Sequence, residues 1–302
     1  LDIKEGDEVI IPAYGWSSDL MTIINKKAIP VIVPIDKYLG LEVESLEKAV
    51  TKKTKVIIAI HMRGHVCDIK GISSFAKKKK IKVIEDCSQC LGGKINGNKV
   101  GSYGDISTFS FQFNKLITAG EGGGITTNDK SIFYKINRFH DLGMGRMYGQ
   151  PDPVGNIAKE IGLNYHYNEL SAALLLAQFE KINLIIKNLK HNNKKISNLF
   201  NNLKQTNPGL LFQNLGNRKN TEKNYAFFVI SQMDKKNIKK IKNVLIKNKI
   251  NFSHIADKDG HNYNGWMKFM KKNKIPFRNL CSVETENILN SSFFKEVNSL
   301  VK

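Results

Sequence analysis

The 302-residue chain predicts an α/β protein built on a mostly parallel sheet sandwiched by helices. Three observations carry that expectation. Short apolar runs recur with helical stretches between them, the alternation a parallel sheet requires. Acidic or polar residues stand just past several of these runs, at the strand ends where open sheets place their ligands. The length suffices for a large core and a second, smaller part.

The elements follow in order. Glu8-Val9-Ile10-Ile11-Pro12 reads as a strand, and Ala13 to Ser18 as a loop entering a helix with Ser17 or Ser18 as its cap. Pro30 to Pro34 is the next strand, Glu42 to Val50 is helical, and Thr54 to Ile60 is a buried strand ending at His61. Ile69 to Lys79 is a helix whose basic end, Lys77 to Lys80, suits the negative end of its dipole. The run from Ile81 ends in Glu85-Asp86 and is followed by Cys87-Ser88-Gln89-Cys90. Asn96-Gly97 marks a small hairpin. A strand then runs to Ser110-Phe111, and a glycine-rich turn leads to a second short strand, Gly124 to Thr127. Asp129 to Phe139 is helical, and 143–159 reads as a long loop at a substrate mouth or dimer contact. A long helix opens near Glu169 and turns polar from about Asn188. Asn207-Pro208-Gly209 breaks it; Tyr225 to Ile230 is a strand and Lys235 to Lys249 a helix. The expected division is 1–187, a large domain, and 188–302, a small α/β C-terminal domain.

Composition excludes several classes. The formal charge is +20, which raises nucleic acid as a partner. The excess is nearly all Lys scattered among Asn and Ile, with no arginine-rich arm and no aromatic-basic alternation, so no nucleic-acid partner is expected. A genome rich in A and T accounts for the bias, and the remaining charge helps attract phosphate-bearing substrates. No apolar run reaches bilayer length and no signal-peptide pattern opens the chain, so no membrane partner is expected. Four irregularly spaced cysteines, Cys67, Cys87, Cys90 and Cys281, suit a reducing, cytoplasmic setting. Cys87 and Cys90 form a C-x-x-C, read as structural rather than redox-active.

Lys115 is the residue with the sharpest chemistry. It lies five positions after Ser110, between two strands and beside a turn that lets backbone approach a ligand closely. It is either a covalent anchor for a carbonyl or a plain hairpin lysine. Asp86, just past a strand end and about thirty residues earlier, favours the anchor. A Schiff-base lysine and a carboxylate that keeps a ring nitrogen protonated are what pyridoxal phosphate needs.

Ile84-Glu85-Asp86-x-x-Gln89, Gly101-Ser102-x-Gly104-Asp105, Ser110-Phe111-x-x-x-Lys115 and Gly120-Glu121-Gly122-Gly123 together resemble the DegT/DnrJ/EryC1/StrS family, from about Gly6 to about Lys181. These are fold-type-I, pyridoxal-phosphate-dependent aminotransferases of keto-sugars and keto-cyclitols. The resemblance implies pyridoxal 5'-phosphate held on Lys115 as an internal aldimine, with Asp86 on the ring nitrogen and Gln89 on the ring-hydroxyl side. It implies Trp16 stacked on the ring, where the alternative is a core aromatic. Ser110 is implied as a phosphate ligand. Asn164, in Gly162-Leu163-Asn164-Tyr165-His166, is implied to reach the phosphate across a homodimer with shared sites. His166 stands where the family usually has Arg. A Ser-Gly-Thr phosphate turn that family members carry before the first strand is not found, so the N-terminal part is expected to be missing.

The implied reaction is ping-pong, with glutamate or glutamine as donor and a nucleotide-linked keto-sugar or a keto-cyclitol as acceptor. Tyr14-Gly15-Trp16 and Phe109-Ser110-Phe111-Gln112 lean toward glutamine-dependent cyclitol aminotransferases and aminohydroxybenzoate synthases. Two other outcomes are open: a catalytically silent regulatory homologue, and a sugar dehydratase. Family dehydratases replace the lysine with histidine, so Lys115 argues against the second. His61, Cys67 and Asp68 have metal-ligand chemistry, but the family's similar connection holds no metal, and none is expected.

Overall fold

A computed structural model describes residues 1–145, 161–206, 212–214, 218–222, 227–231, 243, 246–247, 253–254, 260–290 and 292–295. The sequence-predicted strand Tyr225 to Ile230 lies partly outside these residues, and the helix Lys235 to Lys249, the break at 207–209 and most of the 143–159 loop largely or wholly so.

The chain opens with β1 (Glu8–Pro12), α1 (Ser17–Asn25), β2 (Ile29–Val33), a short α2 (Leu46–Ala49) and β3 (Thr54–Ile60). Then come α3 (Ile69–Lys79), β4 (Lys82–Asp86), the hairpin β5 (Lys94–Ile95) and β6 (Asn98–Lys99), β7 (Ile106–Ser110) and β8 (Gly123–Thr126). After α4 (Lys130–His140) runs α5 (Glu169–Thr206), a helix of 38 residues. Beyond it are β9 (Phe212–Asn214), β10 (Thr221–Glu222), β11 (Phe227–Ser231), β12 (Ser253–His254), α6 (Tyr263–Lys272), β13 (Arg278–Asn279), α7 (Val283–Asn290) and β14 (Ser292–Lys295).

The main sheet has seven strands in the order β13-β2-β1-β3-β4-β7-β8. All neighbours pair parallel except β7 with β8, which form an antiparallel hairpin at one edge. The predicted α/β class and mostly parallel sheet are therefore present. Strand interiors are buried on both faces, as β-branched runs such as Val56 to Ile60 require. Alternate residues feed separate cores. Val56, Ile58 and Ile60 face α1, α6 and α7 through Leu20, Trp266 and Leu289. Ile57 and Ala59 face α2 and α3 through Leu46, Ile69 and Ile72. A second sheet, β12-β14-β11-β9, lies beyond α5, which packs against β9 and β11. Near its other end α5 sets Phe179 edge-on to Phe111, ring centroids 5.7 Å apart.

Three local features bear on the sequence expectations. Asn96 and Gly97 both take positive φ, +49° and +81°, so the hairpin turn is the one the Asn-Gly pair favours. Asp129 caps α4, its side chain accepting from the N–H groups of Ser131 and Ile132. Ser17 and Ser18 do not cap α1; Trp16 occupies the cap position in extended conformation and makes no side-chain cap bond. Both serines lie inside the first turn instead. Residues 260–290, undecoded in the sequence, return to the first sheet, where β13 extends it beside β2. Among the described residues no helix is long and apolar enough to cross a membrane.

One polar cluster ties β13 in place. Arg278 Nη1 donates to both Glu8 carboxylate oxygens at 2.9 Å and to the Ala49 carbonyl at 3.0 Å. Glu8 is otherwise held by the Thr51 and Thr54 hydroxyls. Arg278→Met is expected to lower unfolding free energy by roughly 1–3 kcal/mol, because it leaves a buried carboxylate with only neutral donors. Urea unfolding checks this, and an unchanged midpoint would refute it.

Candidate functional site

Glu85 and Asp86 end β4, and the pleat sends them to opposite faces of the sheet. Glu85 points into the core that Val83 joins, where it is wholly buried. Its carboxylate accepts from the N–H groups of Gly101 (2.7 Å), Tyr103 (3.0 Å) and Gly104 (3.0 Å) and from the Ser107 hydroxyl (3.3 Å). His61 Nε2 adds a fifth donor at 3.0 Å. His61 Nδ1 accepts from the Cys67 N–H at 3.1 Å, which leaves the ring proton on Nε2. Burial works against the charge, but His61 and the backbone donors outweigh it and hold Glu85 down at about 2. The glycine-rich motif thus wraps a carboxylate. Gly101 needs φ +88°, and a Cβ there would meet the Phe109 ring at 2.5 Å. Asp105 completes the loop, accepting from the Val83 N–H at 2.8 Å and pairing with Lys82 at 2.7 Å.

Asp86 points the other way, toward α1. Its Oδ1 accepts from the Ser88 N–H at 2.8 Å. The Asp86 carbonyl accepts from the His61 N–H, and β7 runs alongside with Thr108 opposite Asp86. Ser110 therefore ends the neighbouring strand, its hydroxyl 3.5 Å from the Gln112 N–H. The chain then turns, Lys115 N–H donating to the Gln112 carbonyl at 2.9 Å. Asp86 and Lys115 both lie within electrostatic reach of one further group, Asp19 in the first turn of α1. The fold so gathers Asp86 and Lys115 at the carboxyl ends of β4 and β7.

Gln89 Oε1 accepts from the Arg63 N–H at 3.1 Å. Arg63 takes a left-handed conformation, φ 53° and ψ 34°, and its Nε donates to the Tyr14 hydroxyl at 3.1 Å. A non-glycine residue held there is strained, a feature that concentrates at functional sites. Trp16 is 48% exposed, so it is not a core aromatic. Its ring lies against His261 with centroids 4.5 Å apart, and His261 Nδ1 donates to the Gly15 carbonyl at 2.9 Å. Asn164 stands apart from this group. It bridges Asp141, and its side chain accepts from the His166 N–H at 3.2 Å. His166 Nε2 pairs with Asp141 at 2.8 Å and its ring stacks on His140. Among the described residues Asn164 makes no contact with Asp86 or Lys115 of its own chain.

His61, Glu85 and Cys87 present ligand-type atoms within 4.8 Å of one another. Their donor chemistry does not suit a metal ion. His61 has both ring nitrogens engaged, Glu85 already takes five donors, and burial pushes the Cys87 thiol up to about 12, keeping it protonated. Cys90 is likewise buried and pushed up to about 12, and Cys87 and Cys90 are both free thiols. The structural reading of the C-x-x-C fits that burial.

The sequence reading missed Asp19, Arg63 and the hub role of Glu85. An acid in a first helical turn looks like an ordinary dipole-favoured residue. Glu85 could have been flagged because it shares a strand face with the apolar Val83, but its neighbour Asp86 took the attention.

The sequence profile described as the DegT/DnrJ/EryC1/StrS aminotransferase family matches residues 1–276. GDP-perosamine synthase of Escherichia coli O157:H7 is 40% identical over 184 residues, 60% of this chain and 48% of that protein. L-glutamine:2-deoxy-scyllo-inosose aminotransferase of Micromonospora echinospora is 35% identical over 185 residues, 59% of this chain and 44% of that protein. The chain spans about half the length of the curated relatives it matches. Among solved structures, the aminotransferase from Psychrobacter cryohalolentis superposes with a TM-score of 0.80 at 25% identity, covering 97% of this chain and 76% of that one. E. coli GDP-4-keto-6-deoxy-D-mannose-3-dehydratase, solved with hydrated PLP, superposes with a TM-score of 0.80 at 22% identity, covering 99% and 78%.

The Glu85 hub has a pH signature. Its folded value of about 2 lies below the ordinary 4.5, a gap worth roughly 3 kcal/mol. That stability is fully present above pH about 4.5 and drains away as pH falls toward 2. Glu85→Gln is expected to unfold more easily at pH 7 by about this amount and to show a flatter acid limb. Denaturation curves from pH 7 to 3 check it; parallel curves for the two proteins would contradict it.

Proposed function

We propose an aminotransferase function for this chain, which belongs to the DegT/DnrJ/EryC1/StrS aminotransferase family and has its fold-type-I architecture. The observation that carries this reading is that Asp86, ending β4, and Lys115, in the turn after β7, both act electrostatically on the buried carboxyl group of Asp19. The reaction moves an amino group from glutamate or glutamine to a keto-sugar or keto-cyclitol with pyridoxal phosphate as cofactor.

The residues present fit that cofactor. An acid at the end of β4, an amine in the turn after β7 and a half-exposed indole are the donor set that its ring nitrogen, carbonyl and ring face call for. When bound, pyridoxal phosphate supplies an electron sink for the carbanion left at the donor's Cα. Lys115 would hold the carbonyl through Nζ and, once displaced by the donor's amine, would take and hold the proton from the donor Cα. Asp86 would keep a proton on the ring nitrogen. Trp16, half exposed, would cover the ring face, and Gln89, fixed by the Arg63 N–H, would meet the ring-hydroxyl side. Ser110 would hold phosphate.

Asn164 belongs to the same proposal as the phosphate contact of a partner subunit. The segment around it leaves large apolar side chains in water, Ile161 at 92%, Leu170 at 86% and Leu176 at 66% exposed. Such a patch favours a protein partner, and a second copy of this chain would cover it while delivering Asn164. The division at about residue 187 is part of this reading, with residues 260–290 packed on the first domain. So is a cytoplasmic location, in keeping with buried, free cysteines.

Among acceptors, one feature favours a phosphate-bearing, nucleotide-linked sugar. A cleft of about 470 Å³ opens between the β5–β6 hairpin and α5, ringed by Lys94, Lys99, Lys187 and Lys190 over Leu91 and Phe179. Lys94 and Lys99 stand directly opposite across the hairpin; Glu222 lies opposite Lys94 on the other side and pairs with Lys190 at 2.6 Å, so one carboxylate serves a ring of four lysines and an anion would be welcome. Phe179 packs on Phe111, between Ser110 and Lys115, so the cleft shares a wall with the site.

Borohydride reduction of the protein with pyridoxal phosphate is expected to label Lys115. Lys115→Ala should lose the label and at least about 10²-fold in activity. Label on another lysine would sink the mechanism. Lys94→Ala with Lys99→Ala is expected to raise KM for a nucleotide-linked keto-sugar about tenfold, leaving the amino donor's KM unchanged. An unchanged acceptor KM would turn the choice toward an uncharged keto-cyclitol.

A further inference from the structure

Asp19 is the one group in the site that the mechanism leaves without work. It sits in the first turn of α1, where its N–H donates to the Trp16 carbonyl. Its Oδ2 is buried and has no hydrogen-bond partner. That oxygen lies 3.8 Å from the point where a side chain on Gly15 would begin, and such a side chain would also meet Ile60 at 2.6 Å. The absent side chain at Gly15 is what leaves room beside the carboxyl group.

Two charged groups face it, Asp86 and Lys115, of opposite sign. A helix N-terminus would ordinarily keep an acid ionised. Here burial and, next, the Asp86 charge prevail over the Trp16 and Asp19 N–H groups and Lys115, pushing the carboxyl well above the usual carboxylate range. An acid in that state carries an O–H and is a donor rather than an acceptor. Asp86 faces the same layer as α1, since Ile84, two residues before it, packs against the core cluster that holds Leu20 and Tyr14. Its described side-chain bond uses Oδ1, toward Ser88.

We infer that Asp19 is a further positioning residue of the cofactor site: its buried, unpartnered carboxyl oxygen shares a hydrogen bond with the Asp86 carboxylate once the cofactor's ring nitrogen engages Asp86, and so holds Asp86 in register. This rests on the pyridoxal-phosphate reading above. Asp19 transfers no proton in the reaction; its O–H remains its own. A second carboxylate beside Asp86 would repel it, whereas a second carboxylic acid steadies it.

The test is pyridoxal phosphate affinity by absorbance titration, with the apo-protein melting temperature measured alongside, for wild type, Asp19→Asn and Asp19→Ala in the full chain. Asn keeps an uncharged donor and Ala removes it. Asp19→Ala is expected to bind on the order of tenfold more weakly, the loss of one such hydrogen bond, while Asp19→Asn stays near wild type. Asp19→Asn keeps an acceptor for the Trp16 and Asp19 N–H groups and should melt near wild type, and Asp19→Ala is titrated well below its own melting temperature, so that weaker binding is not unfolding. Wild-type affinity in Asp19→Ala would overturn the inference, as would an Asp19→Asn as weak as Asp19→Ala. Wild type that takes no label on Lys115 would overturn both this inference and the function it rests on, which separates the two failures.

Discussion

The buried carboxylate of Glu85 is the constraint on which the site depends. A lone ionised group in a sheet interior is costly, and here it is tolerated because five donors converge on it. Those donors come from β3's end, from the loop after the hairpin and from β7. One side chain therefore ties β4 both to the end of β3 and to the 101–107 stretch that leads into β7. Because the pleat alternates, fixing Glu85 on one face fixes Asp86 on the other. The neighbouring acids have opposite environments, one saturated with donors and one left facing the site.

The same division runs through the sheet as a whole. One face is closed by α2 and α3 and is purely structural. The other carries α1, α6 and α7, and near its carboxyl edge it brings together Tyr14, Trp16, Asp19, Asp86 and His261. The buried Arg63, in its left-handed conformation, links the two strand-end loops through Tyr14 and Gln89.

Much of this was legible in the residues. Strands with β-branched runs, such as Thr54 to Ile60, and a hairpin announced by Asn-Gly leave little freedom in reading. Asp86 and Lys115 stood out because their chemistry is spare and their spacing fits one cofactor. What escaped has physical reasons. β13 is two residues long and gains its place from Arg278 and Glu8, a contact across most of the chain with no local signature. The cap of α1 went to Trp16 rather than to a serine, because the loop's tertiary contacts with His261 set the entry angle. Asp19 was invisible as a site residue because nothing in its own turn shows that Asp86 lies opposite. α5 runs unbroken from Glu169 to Thr206, past the point near Asn188 where its sequence turns polar.

That helix has a mechanical meaning. Thirty-eight residues at 1.5 Å each make a rod of about 57 Å. Phe179 packs it on the segment carrying Lys115, and it also meets β9 and β11. It is held between these points as well, since Leu189 is buried and Lys190 pairs with Glu222 at 2.6 Å. The helix is therefore a strut: it spaces the four-stranded sheet from the lysine's turn by a length its own backbone hydrogen bonds set.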